Sequence, residues 1–102
     1  MDYEYGREQK MPVKVKIPTP LRRLTNQQDR VDAIGGNVGA IVESLDGQFP
    51  GIKARLCDES GSLRHFVNIY LNGEDIRYLE GLDSRVDDGD ELSIVPAVAG
   101  GV

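Results

Sequence analysis

Two hydrophobic periods alternate along this chain, and the switch between them is what most narrows its fold. Val13, Val15 and Ile17 alternate with Lys14 and Lys16, so one face of a strand is apolar and the other wet. After Gly35-Gly36-Asn37 the apolar positions become Val38, Ile41, Val42, Leu45 and Phe49, a single stripe along an α-helix. Asn37 is placed to cap that helix, Gly39 weakens its first turn, and Gly47 and Pro50 mark its exit. A helix with one apolar side needs a sheet to cover.

The remaining segments supply that sheet. Pro18 and Pro20 end the first strand, residues 21–28 read as a long connection, and a second strand is predicted near Arg30–Ile34. Gly51–Asp58 reads as a short helical turn carrying Ile52 and Leu56, and residues 59–62 as a loop. Phe66–Leu71 is a strand, and Asn72-Gly73 after it is a strong turn signal. Over Ile76–Val86 a short strand or 3₁₀ turn is expected to set Leu79, Leu82 and Val86 along one core edge. Asp87-Asp88-Gly89-Asp90 is a turn, and Leu92–Val95 is the last strand. Pro96 has no N–H, so it belongs where the ladder needs no donor. The sum is α+β: one main helix on a four- or five-stranded mixed sheet. That order is compatible with a β-grasp, which periodicity alone does not single out.

At 102 residues the chain is one small domain, and its 39% apolar content suffices for a single core. No apolar run approaches the ~20 residues of a membrane span. Met1–Lys10 lacks the basic-then-apolar plan of a secretory signal. These ten polar residues read as a disordered or loosely attached extension, unless translation starts at Met11. Cys57 is the sole cysteine and has no internal disulfide partner, so the cytoplasm is the expected compartment. Of the net charge of −5, residues 72–102 hold eight acids against two bases, or −6. A phosphate-rich partner is repelled there, which argues against nucleic-acid binding, whereas a basic protein surface is attracted and steered.

Catalytic constellations are missing from the pattern. Cys57 beside Leu56 reads as a small buried hydrophobe, and His65 has no second histidine or metal-spaced cluster around it. Asp87-Asp88-Gly89-Asp90-Glu91 lacks the twelve-residue calcium-loop spacing. Gly35-Gly36-Asn37-Val38-Gly39 lacks P-loop or dinucleotide spacing and reads as a tight strand-to-helix turn. The chain is therefore not expected to be an enzyme. What stands out instead is Pro96-Ala97-Val98-Ala99-Gly100-Gly101-Val102. Without Cβ atoms, Gly100 and Gly101 can thread a narrow cleft in conformations closed to other residues. Six residues reach roughly 20 Å when extended.

Phe66-Val67-Asn68-Ile69-Tyr70-Leu71-Asn72-Gly73-Glu74-Asp75-Ile76-Arg77, followed by Val86-Asp87-Asp88-Gly89-Asp90-Glu91-Leu92-Ser93-Ile94-Val95-Pro96 and the Gly100-Gly101 end, resembles the ubiquitin-like sulfur-carrier family (the ThiS/MoaD group). Ile17-Pro18-Thr19-Pro20-Leu21-Arg22 and His65-Phe66-Val67-Asn68-Ile69-Tyr70 resemble the branch serving cysteine biosynthesis more than the molybdopterin branch. The resemblance spans about Met11 to Gly101. It implies a β-grasp domain over residues 11–98, a flexible tail over 99–102, and a thiocarboxylate on Gly101 as the working group. Gly100, Ala99 and Val98 are then the tail that partners recognise. Asp88 and Glu91, with Phe66 on the strand face beside the tail, are expected to dock the partner.

By the same resemblance the chain binds no cofactor of its own. An adenylating E1-like partner uses Mg-ATP to join the Gly101 carboxylate to AMP, and a sulfur donor displaces the AMP. A pyridoxal-phosphate cysteine synthase supplies the aminoacrylate acceptor, and a zinc-dependent peptidase releases cysteine from the carrier. Val102 departs from the pattern, because Gly101 has no carboxylate while Val102 follows it; removal of Val102 is expected. A molybdopterin synthase small subunit and a ubiquitin-like protein modifier remain the alternatives.

Overall fold

The computed structural model describes residues 11–96. The readings of 1–10 as an extension and of Val98–Val102 as the recognised tail lie outside the described residues. Five strands form one sheet: β1 (Val13–Lys16), β2 (Arg30–Ala33), β3 (Val67–Leu71), β4 (Glu74–Asp75) and β5 (Glu91–Pro96). Two helices, α1 (Val38–Gln48) and α2 (Ile52–Leu56), lie between the second and third strands. The sheet order is β2-β1-β5-β3-β4. β5 is parallel to β1 and antiparallel to β3, and the two outer pairs are antiparallel. A mixed sheet of two hairpins, with a helix crossing one face and the last strand inserted in the middle, is the β-grasp fold.

The period-2 expectation holds residue by residue. Val13, Val15 and Ile17 are buried, joined by Val31 and Ala33 from β2, Val67 and Ile69 from β3, and Leu92 and Ile94 from β5. Val38, Ile41, Val42 and Leu45 of α1 complete the core, with Phe49 packed at its margin. On the outer face Lys14 pairs with Asp32 at 3.4 Å and Lys16 with Glu91 at 3.6 Å; exposed pairs of this kind contribute little. The Asn37 side chain caps α1 by accepting from the Ala40 N–H at 2.8 Å. Asn72 and Gly73 both take positive φ, 52° and 89°, the twist a two-residue hairpin requires.

Four expectations need correction. The second strand stops at Ala33, and Ile34 is exposed. The helix runs through Gly47 to Gln48, and Gly51 (φ 104°) makes the turn into α2. There Asp46 Oδ1 accepts from the N–H groups of Gly51 and Lys53, each at 3.1 Å. The connection after β1 is a 3₁₀ helix, Thr19–Thr25, opened by Pro20 and closed by Asn26 in the left-handed region. Its fully buried Thr25 hydroxyl is satisfied by the Gln28 carbonyl at 2.8 Å. Finally, Leu79 is exposed, whereas Ile76 is fully buried and Val86 nearly so. Asp75 Oδ1 accepts from the Arg77 N–H at 2.9 Å, which winds a 3₁₀ turn directly after β4 and drives Ile76 inward.

Gly39 also has a different role from the one its helix propensity implies. A Cβ there would meet the Leu82 carbonyl oxygen at 3.3 Å, so the glycine lets α1 pack closely on the Gly81–Asp83 turn. Gly35 is tighter still: a Cβ would lie 2.9 Å from the Ala40 Cβ and 3.0 Å from the Ile41 nitrogen. Next to it, Gly36 faces nothing within 4 Å. Gly35→Ala should therefore destabilise the fold by about 1–3 kcal/mol. Gly36→Ala should stay within about 0.5 kcal/mol of the parent. Urea unfolding of both variants checks this, and equal midpoints would contradict the packing at the α1 entry.

Candidate functional site

β5 carries the described chain to Pro96, and the local ladder explains what surrounds that end, the root of the tail. Side-chain burial alternates along the strand, with Leu92 and Ile94 inward and Glu91, Ser93 and Val95 outward. β1 pairs with β5 only over Glu91, Leu92 and Ser93, because β1 turns away before Pro18. β3 continues alongside to the Val67–Pro96 pair. The Val67 N–H donates to the Arg64 carbonyl at 3.0 Å, so that last pair exchanges no ladder bond. By alternation the imide side of Pro96 faces the flank that β1 has vacated. Its missing N–H therefore costs the sheet nothing, as expected from the sequence.

Where β1 departs, a groove of about 340 Å³ opens. Its walls are Pro20 and Leu21 from the 3₁₀ helix, Leu56 from α2, Phe66 from the turn that enters β3, and Ile94 and Pro96 from β5. Phe66 is 46% exposed and meets His65 edge-to-face with centroids 5.7 Å apart. The charged side chains lining this groove are Arg55 and Arg64. Arg64 Nε donates to the Ala54 carbonyl at 3.1 Å. Arg77 fixes the same loop from the other side, donating to Asn68 Oδ1 at 2.6 Å and to the Arg64 carbonyl at 2.9 Å. Arg22 Nε donates to the Ile17 carbonyl at 3.0 Å, holding the end of β1 against the 3₁₀ helix.

Of the expected docking residues, Phe66 stands at this tail root, but Asp88 and Glu91 do not. Glu91 opens β5 and Pro96 closes it, and five residues of strand separate them by roughly 17 Å. Asp88 lies farther back, in a turn where the Asp87 N–H donates to Asp90 Oδ2 at 2.7 Å. It lines a shallow hollow with Ile34, Asn37 and Arg85. The acids are next to the tail in sequence and at the opposite end of the strand in space. The surroundings of the tail root are apolar and basic. Sequence reading did not bring Pro20, Leu21, Arg55, Leu56 and Arg64 together, because three separate segments contribute them and only the tertiary fold makes them neighbours.

The other candidates take structural roles. Cys57 is 3% exposed, and burial pushes its thiol pKa up, which disfavours the nucleophilic thiolate. Asp58 closes the 59–62 loop by accepting from the Ser60 hydroxyl at 2.6 Å, and that bond is the main cause of its lowered pKa. Among the described residues no cluster of histidine, cysteine and carboxylate side chains has the makings of a metal site. No helix among them is long and apolar enough to cross a membrane.

The fold defines a ubiquitin-like β-grasp domain whose last described residue, Pro96, ends the central strand of the sheet. The ThiS family profile matches residues 15–101, and the chain belongs to the ThiS family. It is 48% identical over 93 residues to the sulfur carrier protein CysO of Mycobacterium tuberculosis, covering 89% of this chain and 100% of that one. Small archaeal modifier protein 3 of Haloferax volcanii is 33% identical over 94 residues, again covering 89% of this chain and all of that protein. Among solved structures, the Amycolatopsis orientalis BexX/CysO complex contains a chain that superposes with a TM-score of 0.83 at 47% identity. That match covers 87% of this chain and 99% of that chain.

Proposed function

We propose that this chain is a sulfur carrier whose working group is the carboxyl end of Gly101, most simply one that feeds cysteine synthesis. The observation that carries the reading is the 48% identity to a sulfur carrier protein over that protein's whole length, with the family match running through Gly101. The chemistry follows from what a bare carboxylate lacks. Its charge is delocalised and oxide is its only leaving group, so sulfur cannot displace it directly. In the proposed sequence a Gly101 carboxylate oxygen attacks the α-phosphorus of Mg-ATP on an adenylating partner, and pyrophosphate leaves. A hydrosulfide ion then attacks the carbonyl carbon and displaces AMP, and loss of its proton to water leaves –C(O)S⁻ on the glycine.

The body's part is presentation. A carrier of this kind needs a rigid base from which a narrow peptide enters a partner's active site, and β5 supplies one. The acceptor is proposed to be a pyridoxal-phosphate enzyme holding a dehydrated serine, with a zinc-dependent peptidase acting afterwards. Removal of Val102 must precede activation, because adenylation needs a free carboxylate on Gly101. Asp88 and Glu91 are proposed as a steering patch, used by a partner that spans the sheet from the tail root to the opposite end.

A second reading, joining to lysine side chains as a protein modifier, is favoured by the match to the archaeal modifier. Both readings start with the same adenylate and part at the acceptor. Intact-mass analysis of the protein from its own cells separates them. The carrier reading expects a chain shortened by one valine, a fraction of it heavier by the difference between sulfur and oxygen. Isopeptide-linked conjugates without that thiocarboxylate would favour the modifier, and only unprocessed chains under active sulfur assimilation would overturn both. For the steering patch, Asp88→Lys with Glu91→Lys should slow association with the adenylating enzyme and weaken its salt dependence. An unchanged association rate at low salt would show that these acids only keep the chain soluble.

A further inference from the structure

We propose that the groove at the tail root is a seat for Val98 of the chain's own tail, so that the segment after Pro96 is latched to the body until a partner draws it out. The proposal concerns the same tail as the carrier reading and rests on that reading for its significance. The contact itself follows from the geometry of β5. Leu92 and Ile94 point inward while Ser93 and Val95 point outward, Val95 being 42% exposed. Ile94 and Pro96 both line the groove. The next residue of that parity is Val98, the last bulky apolar side chain before Ala99-Gly100-Gly101. Two residues of extended chain advance it about 7 Å beyond Pro96, toward the groove where half-buried Leu21 and exposed Phe66 flank the buried Leu56.

The groove has the capacity and character this needs. Its volume of about 340 Å³ is many times the ~30 Å³ that one water molecule occupies in the liquid, so an isopropyl group fits without repacking the core. Its lining is mostly apolar, with Arg55 and Arg64 as its charged members. Burying one valine stabilises the seated form by about as much as ordering two backbone residues costs. The latch is therefore shallow, and a partner opens it with modest binding energy. Its consequence is reach. With Val98 seated, three residues carry Gly101 roughly 10 Å from the body; with it released, five residues from Pro96 carry it roughly 17 Å. A partner whose reactive centre lies deeper than the first distance must unseat Val98.

Two other occupants fit the apolar and basic lining: the acidic-aromatic stretch Asp2-Tyr3-Glu4-Tyr5 of this chain, and an acidic peptide of a partner. One experiment on the full-length chain separates them. Methyl-labelled protein should show nuclear Overhauser contacts from the Val98 methyls to the methyls of Leu21, Leu56 or Ile94. Val98→Ser should abolish them and shift the groove methyls, and Leu21→Ser should return the Val98 methyls to random-coil positions. Val98→Ser leaves every residue of the described core unchanged, so the test stands even if the second variant is unstable. Random-coil Val98 methyls in the parent, or groove contacts made by Tyr3 and Tyr5 instead, would overturn the proposal. The readout involves neither adenylation nor sulfur, so its failure leaves the carrier reading intact, and failure of that reading leaves the contact measurable.

Discussion

The structure depends on β5 being hydrogen-bonded on both sides, parallel to β1 and antiparallel to β3. A parallel neighbour cannot be reached by a tight hairpin. The chain must therefore leave the first hairpin, cross one face of the sheet as α1, build β3 and β4, and return through the centre. The crossing helix covers the inward side chains of all three middle strands at once. Putting the last strand in the middle has a second effect. Pro96, the last described residue, stands on the central strand rather than on an edge, at the end where β1 has already turned away. The groove, the exposed Phe66 and the harmless placement of Pro96 all follow from that early departure.

Much of this was legible in the sequence, because the relevant signals are local. Alternation over Val13–Ile17, the stripe from Val38 to Phe49 and the Asn72-Gly73 turn each report a period or a backbone requirement within a few residues. What was not legible depends on distant segments. Nothing local distinguishes Leu79 from Ile76 as the core residue of 76–86; the Asp75 side chain decides it by winding a 3₁₀ turn after β4. Gly39 looks like a weak point in a helix until Leu82 is seen against it. The acidic stretch, close to the Gly100-Gly101 end in sequence, lies far from Pro96 for the plainest reason. An extended strand carries its two ends far apart, so neighbours in sequence became opposite poles of the domain. The Gly100-Gly101 signal remains a sequence signal, lying outside the described residues.

The electrostatics refine how a partner would approach. Arg55 and Arg64 line the tail root, while Asp87, Asp88 and Asp90 cluster at the far end of β5. That separation gives the domain a polarity along its central strand. A partner with one uniformly basic face fits the acidic pole but not the root, so a surface that takes the tail while reading both poles must itself be polar in charge.

The central claim is that a rigid body presents a tail whose glycines are read sterically by an adenylating enzyme. The most direct test is ATP–pyrophosphate exchange catalysed by the adenylating enzyme of the same organism, on a chain ending at Gly101, compared with its Gly100→Val variant. A β-branched residue at position 100 restricts the backbone and widens the peptide, while every residue of the described core is left unchanged. The account predicts robust exchange for the di-glycine chain, loss of exchange for the variant, and the same unfolding midpoint for both. Equal exchange rates would contradict it, because the di-glycine would then not be read at all.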